Sequence, residues 1–141
     1  MTQTTSSDPS TIPAASGKVI AVKDGIIVFR PADTSYELYL AAPNYTGPLN
    51  APVRCLIRVT ARKVYTVSTG GNFIAPIFGP PRIVQGRVRS GNDRSMVVHG
   101  GCPILVELPT DESGIDLDDG PIWVGRMVNV VCLPGARAEF T

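Results

Sequence analysis

The sequence has few of the residues from which most binding and catalytic sites are built. Aromatic residues make up 6% of the 141 positions, charged residues make up 18%, and there is a single histidine. Proteins that bind single-stranded nucleic acid normally stack the bases on aromatic side chains, and such side chains are scarce here. The formal net charge of +1 also excludes a general attraction to phosphate or anionic lipid. Any such binding would have to come from a local patch.

Cysteine is equally rare. Cys55, Cys102 and Cys132 lie far apart and include no Cys-x-x-Cys pair, so we expect free thiols in a reducing cytoplasm. With His99 they make a Cys3His set in count, but structural zinc sites usually take their ligands from closely spaced pairs. Cys102 and His99 could act as nucleophile and base, yet no third residue is evident to orient the base.

The motifs of the common enzyme classes are missing as well. The sequence contains no Gly-x-Ser-x-Gly, no Walker loop, no His-Glu-x-x-His and no dinucleotide fingerprint. We therefore expect no catalytic residue, no cofactor and no metal site, and we expect the protein not to be an enzyme.

Long apolar runs are absent too. Glycine, proline or a charged residue interrupts every hydrophobic run within about eight residues, far short of the roughly 20 that span a bilayer. Residues Met1–Ser16 are polar and include neither lysine nor arginine, which predicts a disordered N-terminal arm rather than a signal peptide. We expect no membrane partner.

Glycine and proline, in contrast, are abundant. The 14 Gly and 13 Pro exclude a helical bundle, while 43% hydrophobic residues and a mean hydropathy of +0.12 suffice for a core. Short runs of Val, Ile, Leu and Tyr alternate with turn residues, including the hairpin signal Asp24-Gly25. This pattern predicts an all-β fold. The predicted strands are Lys18–Val22, Gly25–Arg30, Tyr36–Ala41, Val53–Val67, Val84–Arg89, Ser95–His99, Ile104–Leu108, Ile122–Val124, Met127–Leu133 and Ala136–Phe140.

Two stretches of the chain resemble each other. Gly17–Arg30 and Gly86–His99 align without gaps, with four identities in fourteen positions. The segments that follow correspond in the same order: Tyr36–Leu40 with Ile104–Leu108, and Val53–Val59 with Met127–Leu133. We predict an internal duplication.

The duplication divides the chain into an arm (1–16), a first β-repeat (17–68), a Gly/Pro-rich apolar connector (69–85) and a second β-repeat (86–141). Two arrangements fit. The repeats could form two tandem small barrels of the OB or SH3-like kind packed together, or both halves could make one pseudo-twofold β-barrel. The length of the connector and its three prolines favour the tandem barrels.

The segment Val53–Val67 has the clearest strand pattern, with apolar residues at odd positions through Tyr65 and Val67 apart from an interruption at Lys63. At about 3.3 Å per residue it would span roughly 50 Å, so we expect it to bend or break near Thr60–Arg62. Its polar face carries Arg54, Arg58 and Arg62. Such a face could grip a phosphate backbone or another polyanion, although charged side chains on a wet sheet face are also ordinary solubilising residues.

Charge is uneven along the chain. Up to Thr110 there are 11 basic and 6 acidic residues (+5), and from Asp111 onward 2 basic and 6 acidic (−4). The five carboxylates of Asp111–Gly120 do not match the spacing of a calcium loop, which predicts a solvated acidic loop. This loop could neutralise the arginine face of a neighbouring copy.

The connector contains four large apolar residues, Phe73, Ile74, Ile77 and Phe78, among glycines and prolines. A simple spacer would be polar. These side chains could pack between the two halves, or they could dock into another chain.

Two functions follow as hypotheses. The first is a non-enzymatic structural or protein-interaction module, able to self-associate through Phe73, Ile74, Ile77 and Phe78. The alternative is a binding barrel for single-stranded nucleic acid or another polyanion, using Arg54, Arg58 and Arg62. The sequence leaves the identity of the partner open.

Overall fold

Strands account for nearly all of the regular structure. The computed structural model describes residues 13–110, 114–117 and 120–140, and the twelve strands in these ranges belong to one hydrogen-bonded sheet. The strands are β1 (Ala15–Lys23), β2 (Ile26–Pro31), β3 (Glu37–Ala41), β4 (Pro52–Thr66), β5 (Phe73–Ala75), β6 (Phe78–Gly79), β7 (Ile83–Gly91), β8 (Ser95–His99), β9 (Pro103–Glu107), β10 (Ile115–Asp116), β11 (Met127–Cys132) and β12 (Arg137–Phe140). The all-β prediction is confirmed. Within these ranges, no helix has the length and apolar character needed to cross a membrane.

The chain makes two antiparallel meanders, β1-β2-β3 and β7-β8-β9. From the first meander, β3 pairs with β12 in parallel, β12 pairs with β4, and β4 pairs with β1, so the pairings return to the strand where they began. From the second, β9 pairs with β4 in parallel, β4 pairs with β11, and β11 pairs with β7. Strand β4 takes part in both series.

The first hairpin turns at Asp24-Gly25, as predicted. Both residues have positive φ, 53° and 78°, which is the type I′ geometry that the right-handed twist of a hairpin favours. Farther from the turn the register shifts between Val19 and Ala21. The β7–β8 hairpin shifts at the matching place, between Val88 and Ser90.

Strand β4 is continuous over 15 residues, and its irregularity lies at Arg62. Across this residue the register with β11 shifts, because Lys63 faces Val131 while Ala61 faces Cys132. The extra residue reverses which positions point inward. The prediction that odd positions stay inward through Tyr65 is therefore wrong, and Val64 and Thr66 are the buried side chains instead.

Other departures from the predicted strands are short. Residues 122–124 form no strand but lead into a turn in which the Arg126 N–H donates to the Trp123 carbonyl at 2.9 Å. Strands β5, β6 and β10 were not predicted. Each has two or three residues and exists through its partner, β7, β3 or β4, so sequence periodicity cannot reveal it.

The core is formed by the inward positions of the long strands. Its largest fully buried side chains are Phe29, Ile27, Leu38, Leu40, Ile57, Ile74, Met96 and Ile104. Residues from both halves of the sequence contribute to this single cluster.

Candidate functional site

The three arginines of β4 occupy different surroundings. Arg54 is exposed near the start of the strand, Arg58 is half-buried in the middle, and Arg62 is exposed at the bulge. Arg54 and Arg58 share a face, whereas the bulge breaks the alternation at Arg62. The structure therefore does not bring the three together as one continuous row.

Arg58 belongs to a network of charges where β4, β9 and β12 meet. Its guanidinium donates to Glu139 at 3.2 Å and lies 3.7 Å from Glu107. Arg137 lies within 3.5 Å and 3.8 Å of the same two carboxylates, and the Thr60 hydroxyl donates to Glu107 at 3.1 Å. Two carboxylates thus already accompany the charge of Arg58.

The four apolar residues of the connector divide between core and surface. Ile74 is 2% exposed and packs in the core, and its N–H donates to the Tyr36 hydroxyl at 3.2 Å. Phe73 is 37% exposed, whereas Ile77 and Phe78 are 52% and 62% exposed. One residue anchors the connector, and two present their side chains to solvent.

Phe78 extends an apolar surface on the first meander, and the exposed Ile77 directly precedes it in the chain. Phe78 pairs with Glu37, and residues directly opposite one another share a sheet face. Tyr39, two residues beyond Glu37 and 43% exposed, lies on that face too, and Ile26 across the β2–β3 ladder is 40% exposed. We call Ile26, Tyr39 and Phe78, together with the neighbouring exposed Ile77, the apolar face.

The cysteines and the histidine have the properties of buried groups. Burial raises the pKa of Cys55, Cys102 and Cys132 to about 12, with Cys102 adding to the effect at Cys55. Burial, and then the charge of Arg89, lower the pKa of His99. Among the described residues, no group of three or more His, Cys, Asp or Glu could hold a metal ion.

Most carboxylates of the predicted acidic loop, at positions 111, 112, 118 and 119, lie outside the described residues. So do residues 1–12 of the predicted arm. Strand β1 begins at Ala15, two residues before the predicted start of the first repeat at Gly17.

An open groove of about 1230 Å³ lies beside the first meander. It is lined by the start of β1, the loops at 31–34 and 42–48, the start of β4 and the end of β12. The rings of Tyr45 and Phe140 pack with centroids 4.5 Å apart, and the Tyr45 hydroxyl donates to the Pro48 carbonyl at 2.6 Å. Burial, with Cys55 second, raises the pKa of Tyr45, which keeps this hydroxyl a donor.

Three cations and one carboxylate, Asp33, line this groove. Lys18 faces Arg30 across the β1–β2 ladder, and Arg54 faces Ser16 across the β1–β4 ladder. Since Ser16 and Lys18 alternate on one face of β1, all three cations share that face. Arg30 donates to Glu37 at 2.7 Å, while Lys18 and Arg54 make no ion pair with any residue in the described ranges.

Of these three cations, only Arg54 is predicted from the sequence as a binding residue. Lys18 and Arg30 come from two other strands, and their pairing depends on the register shift after Val19. Counting outward from the Asp24-Gly25 turn without that shift would place Lys18 opposite Pro31. The sequence shows a basic residue on each of the three strands, but it does not show that these residues lie side by side in the fold.

Comparisons of the chain with protein families, with curated proteins and with solved structures find no match.

Proposed function

We propose that the protein is a non-enzymatic structural module that binds a second copy of itself through the apolar face. The observation that carries the proposal is the clustering of Ile26, Tyr39 and Phe78 on one face of adjoining strands, with Ile77 next to Phe78 in the chain, each at least 40% exposed. Exposed apolar side chains gathered on one face often mark an interface, and here they surround a single charged side chain of that face, Glu37. Burying one such side chain fully is worth about 1.5–3 kcal/mol.

The thiols support the non-enzymatic part of the proposal. A cysteine whose pKa is raised to about 12 stays protonated near neutral pH and is a poor nucleophile. The three free cysteines also favour a reducing, cytoplasmic location.

Size-exclusion chromatography with light scattering tests the self-association. We expect a dimer that becomes monomeric in the double variant Ile77→Ser/Phe78→Ser, because serine removes the apolar side chains without touching the core. The matched control is Leu49→Ser/Val124→Ser, which removes two equally exposed apolar residues elsewhere, 51% and 65% exposed. A wild-type monomer at high protein concentration, or equal behaviour of the two variants, would contradict the proposal.

We also infer that the two halves arose by duplication and that each completes a small five-stranded barrel. The ungapped alignment of Gly17–Arg30 with Gly86–His99 gives matching registers, since Lys18 faces Arg30 and Arg87 faces His99. The loops before β4 and β11 agree as well: the N–H of Asn50 donates to Val19, and the N–H of Gly125 donates to Val88, at 2.9 and 2.7 Å. Asn50 and Gly125 both have positive φ.

The pairings favour an arrangement between the two predicted ones. Strand β4 would serve as the fourth strand of the first barrel and the fifth of the second, so the barrels would be joined rather than merely tandem. In the register of the hairpins Leu38 corresponds to Ile104, which moves the predicted match of Tyr36 with Ile104 by two residues. A likeness to OB or SH3-like barrels in particular stays a prediction.

Polyanion binding along Arg54, Arg58 and Arg62 is the second candidate. The exposure of Arg54 and Arg62 favours it, whereas the carboxylates around Arg58 oppose it. Fluorescence anisotropy with single-stranded oligonucleotides at decreasing salt decides the matter, because phosphate contacts strengthen as salt falls. No binding at low salt would refute this candidate.

A further inference from the structure

Three basic side chains, Lys18, Arg30 and Arg54, lie close together in the groove, and their mutual repulsion does not help to stabilise the fold. Lys18 and Arg30 are directly opposite on neighbouring strands, where Cβ atoms are about 4.5–5.5 Å apart and like charges are destabilising. Glu37 offsets Arg30, and Asp33 is a carboxylate of the groove lining itself, but Lys18 and Arg54 have no ion-pair partner among the residues described. An anionic ligand would offset the charges that remain.

The rest of the groove is largely apolar. Tyr45 and Phe140 pack against each other there, and Val53 and Pro43 line the same space. The hydrogen bond from Tyr45 to the Pro48 carbonyl holds the aromatic loop in place, so this part of the groove is formed before any ligand arrives. A flat apolar group would find aromatic and aliphatic contacts in it.

The size fits a small molecule rather than a single ion. Pockets for small ligands usually measure about 300–1000 Å³, and the groove, at about 1230 Å³, is slightly larger and open to solvent. It therefore has room for an anionic group beside the cations together with an apolar body beside the rings.

We propose that the groove is a binding site for an organic anion, in which a phosphate or carboxylate is attached to a flat apolar body. Arg54 and Lys18 hold the anionic group, since guanidinium and ammonium donors form strong charge-assisted hydrogen bonds with such oxygens. Tyr45 and Phe140 contact the body. The groove lining contains no residue of the apolar face, although the two surfaces adjoin at the Arg30–Glu37 ion pair. The proposal does not rest on self-association.

Two fluorescent probes that differ in one charged group test this site. Anilinonaphthalene sulfonate carries the anion, and N-phenyl-1-naphthylamine is its neutral counterpart. In the Ile77→Ser/Phe78→Ser protein, whose groove is unchanged, we expect the sulfonate to bind about tenfold more tightly than the neutral probe, the ratio that one favourable charge contact of ordinary strength produces. This variant is used for the titrations because its apolar face has lost two exposed side chains to which either probe could bind.

In that background, the further change Lys18→Gln/Arg54→Gln should bring the ratio of the two affinities, sulfonate over neutral probe, to about one. The control Arg62→Gln/Arg89→Gln changes two exposed arginines outside the groove lining and should leave the ratio at about ten. An unchanged ratio in the first variant, or no saturable binding of the sulfonate, would overturn the proposal. Competition by adenosine monophosphate or by 2-naphthoate then identifies the anionic group as phosphate or carboxylate. Failure of both to displace the probe would also overturn it.

Discussion

Replacing Gly86 by alanine should destabilise the protein strongly, and replacing Gly17 should do the same. In each case the opposite strand of the hairpin places a backbone carbonyl where the new methyl group would lie. A Cβ on Gly86 would overlap the His99 carbonyl oxygen, and a Cβ on Gly17 would overlap that of Arg30. Neither collision is with the end of a flexible side chain, so the strands themselves must move.

The size of the effect follows from what such a movement disturbs. Overpacking typically costs about 1–3 kcal/mol when side chains can adjust. At Gly86 the carbonyl carbon of His99 would also lie 2.7 Å from the added atom, and β7 is held by β8 on one side and β11 on the other. We therefore expect a loss at the upper end, about 3 kcal/mol in the free energy of unfolding.

Urea unfolding followed by circular dichroism measures this loss. With a slope of about 2 kcal/mol per molar urea, the midpoint should fall by about 1.5 M. Gly71→Ala is the matched control, because a Cβ there has no atom within 4 Å, and its effect should stay within about 0.5 kcal/mol. If Gly86→Ala proved as stable as Gly71→Ala, the close approach of the two strands at Gly86 would be refuted. Clearly unequal losses of stability at Gly17 and Gly86 would count against the inference that the two hairpins arose by duplication.

Two further predictions concern buried and paired charges. Replacing Glu107 by Gln removes a carboxylate that contacts both Arg58 and Thr60, and it should lower the free energy of unfolding by about 1 kcal/mol. A double-mutant cycle of Glu107→Gln with Arg58→Met should show a coupling energy between the two residues that becomes smaller at high salt. The free energy of unfolding should also fall as pH rises above about 9. The cysteines of the unfolded chain ionise near that pH, whereas burial in the folded protein raises the pKa of Cys55 and Cys102 to about 12. Ionisation therefore stabilises the unfolded chain first. Urea unfolding at pH 8 and pH 10 tests this, and Cys102→Ala should show a smaller loss; an equal loss in the variant would contradict it.

Local signals in the sequence were sufficient for the fold class and the first hairpin. Asp24 and Gly25 adopt the positive φ values that their residue types favour, so the turn could be placed to the residue. The register shift after Val19 could not be placed in this way, because Val19, Ile20 and Ala21 are residue types that also occur in regular strands. That one-residue shift decides which cations meet in the groove.

Strand β4 illustrates the same limit on a larger scale. Its alternating pattern predicted a long strand that bends or breaks near Thr60–Arg62. The strand is continuous, and its register shift lies at Arg62. Yet the pattern of odd positions continued through Tyr65, so the reversal of faces was hidden by apolar residues on both sides of the strand. The role of Arg58 was hidden for a different reason, since its carboxylates come from residues 107 and 139, far along the chain.

The route of β12 has a consequence for synthesis of the chain on the ribosome. Ala41 at the end of β3 pairs with Arg137, which is made 96 residues later (from 41 to 137). At usual elongation rates this is a wait of roughly 5–20 s, during which the edges of β3 and β4 that β12 will cover stay open. Unpaired strand edges can form hydrogen bonds with other chains and so promote aggregation. The nascent protein should therefore need protection by chaperones more than its small size suggests.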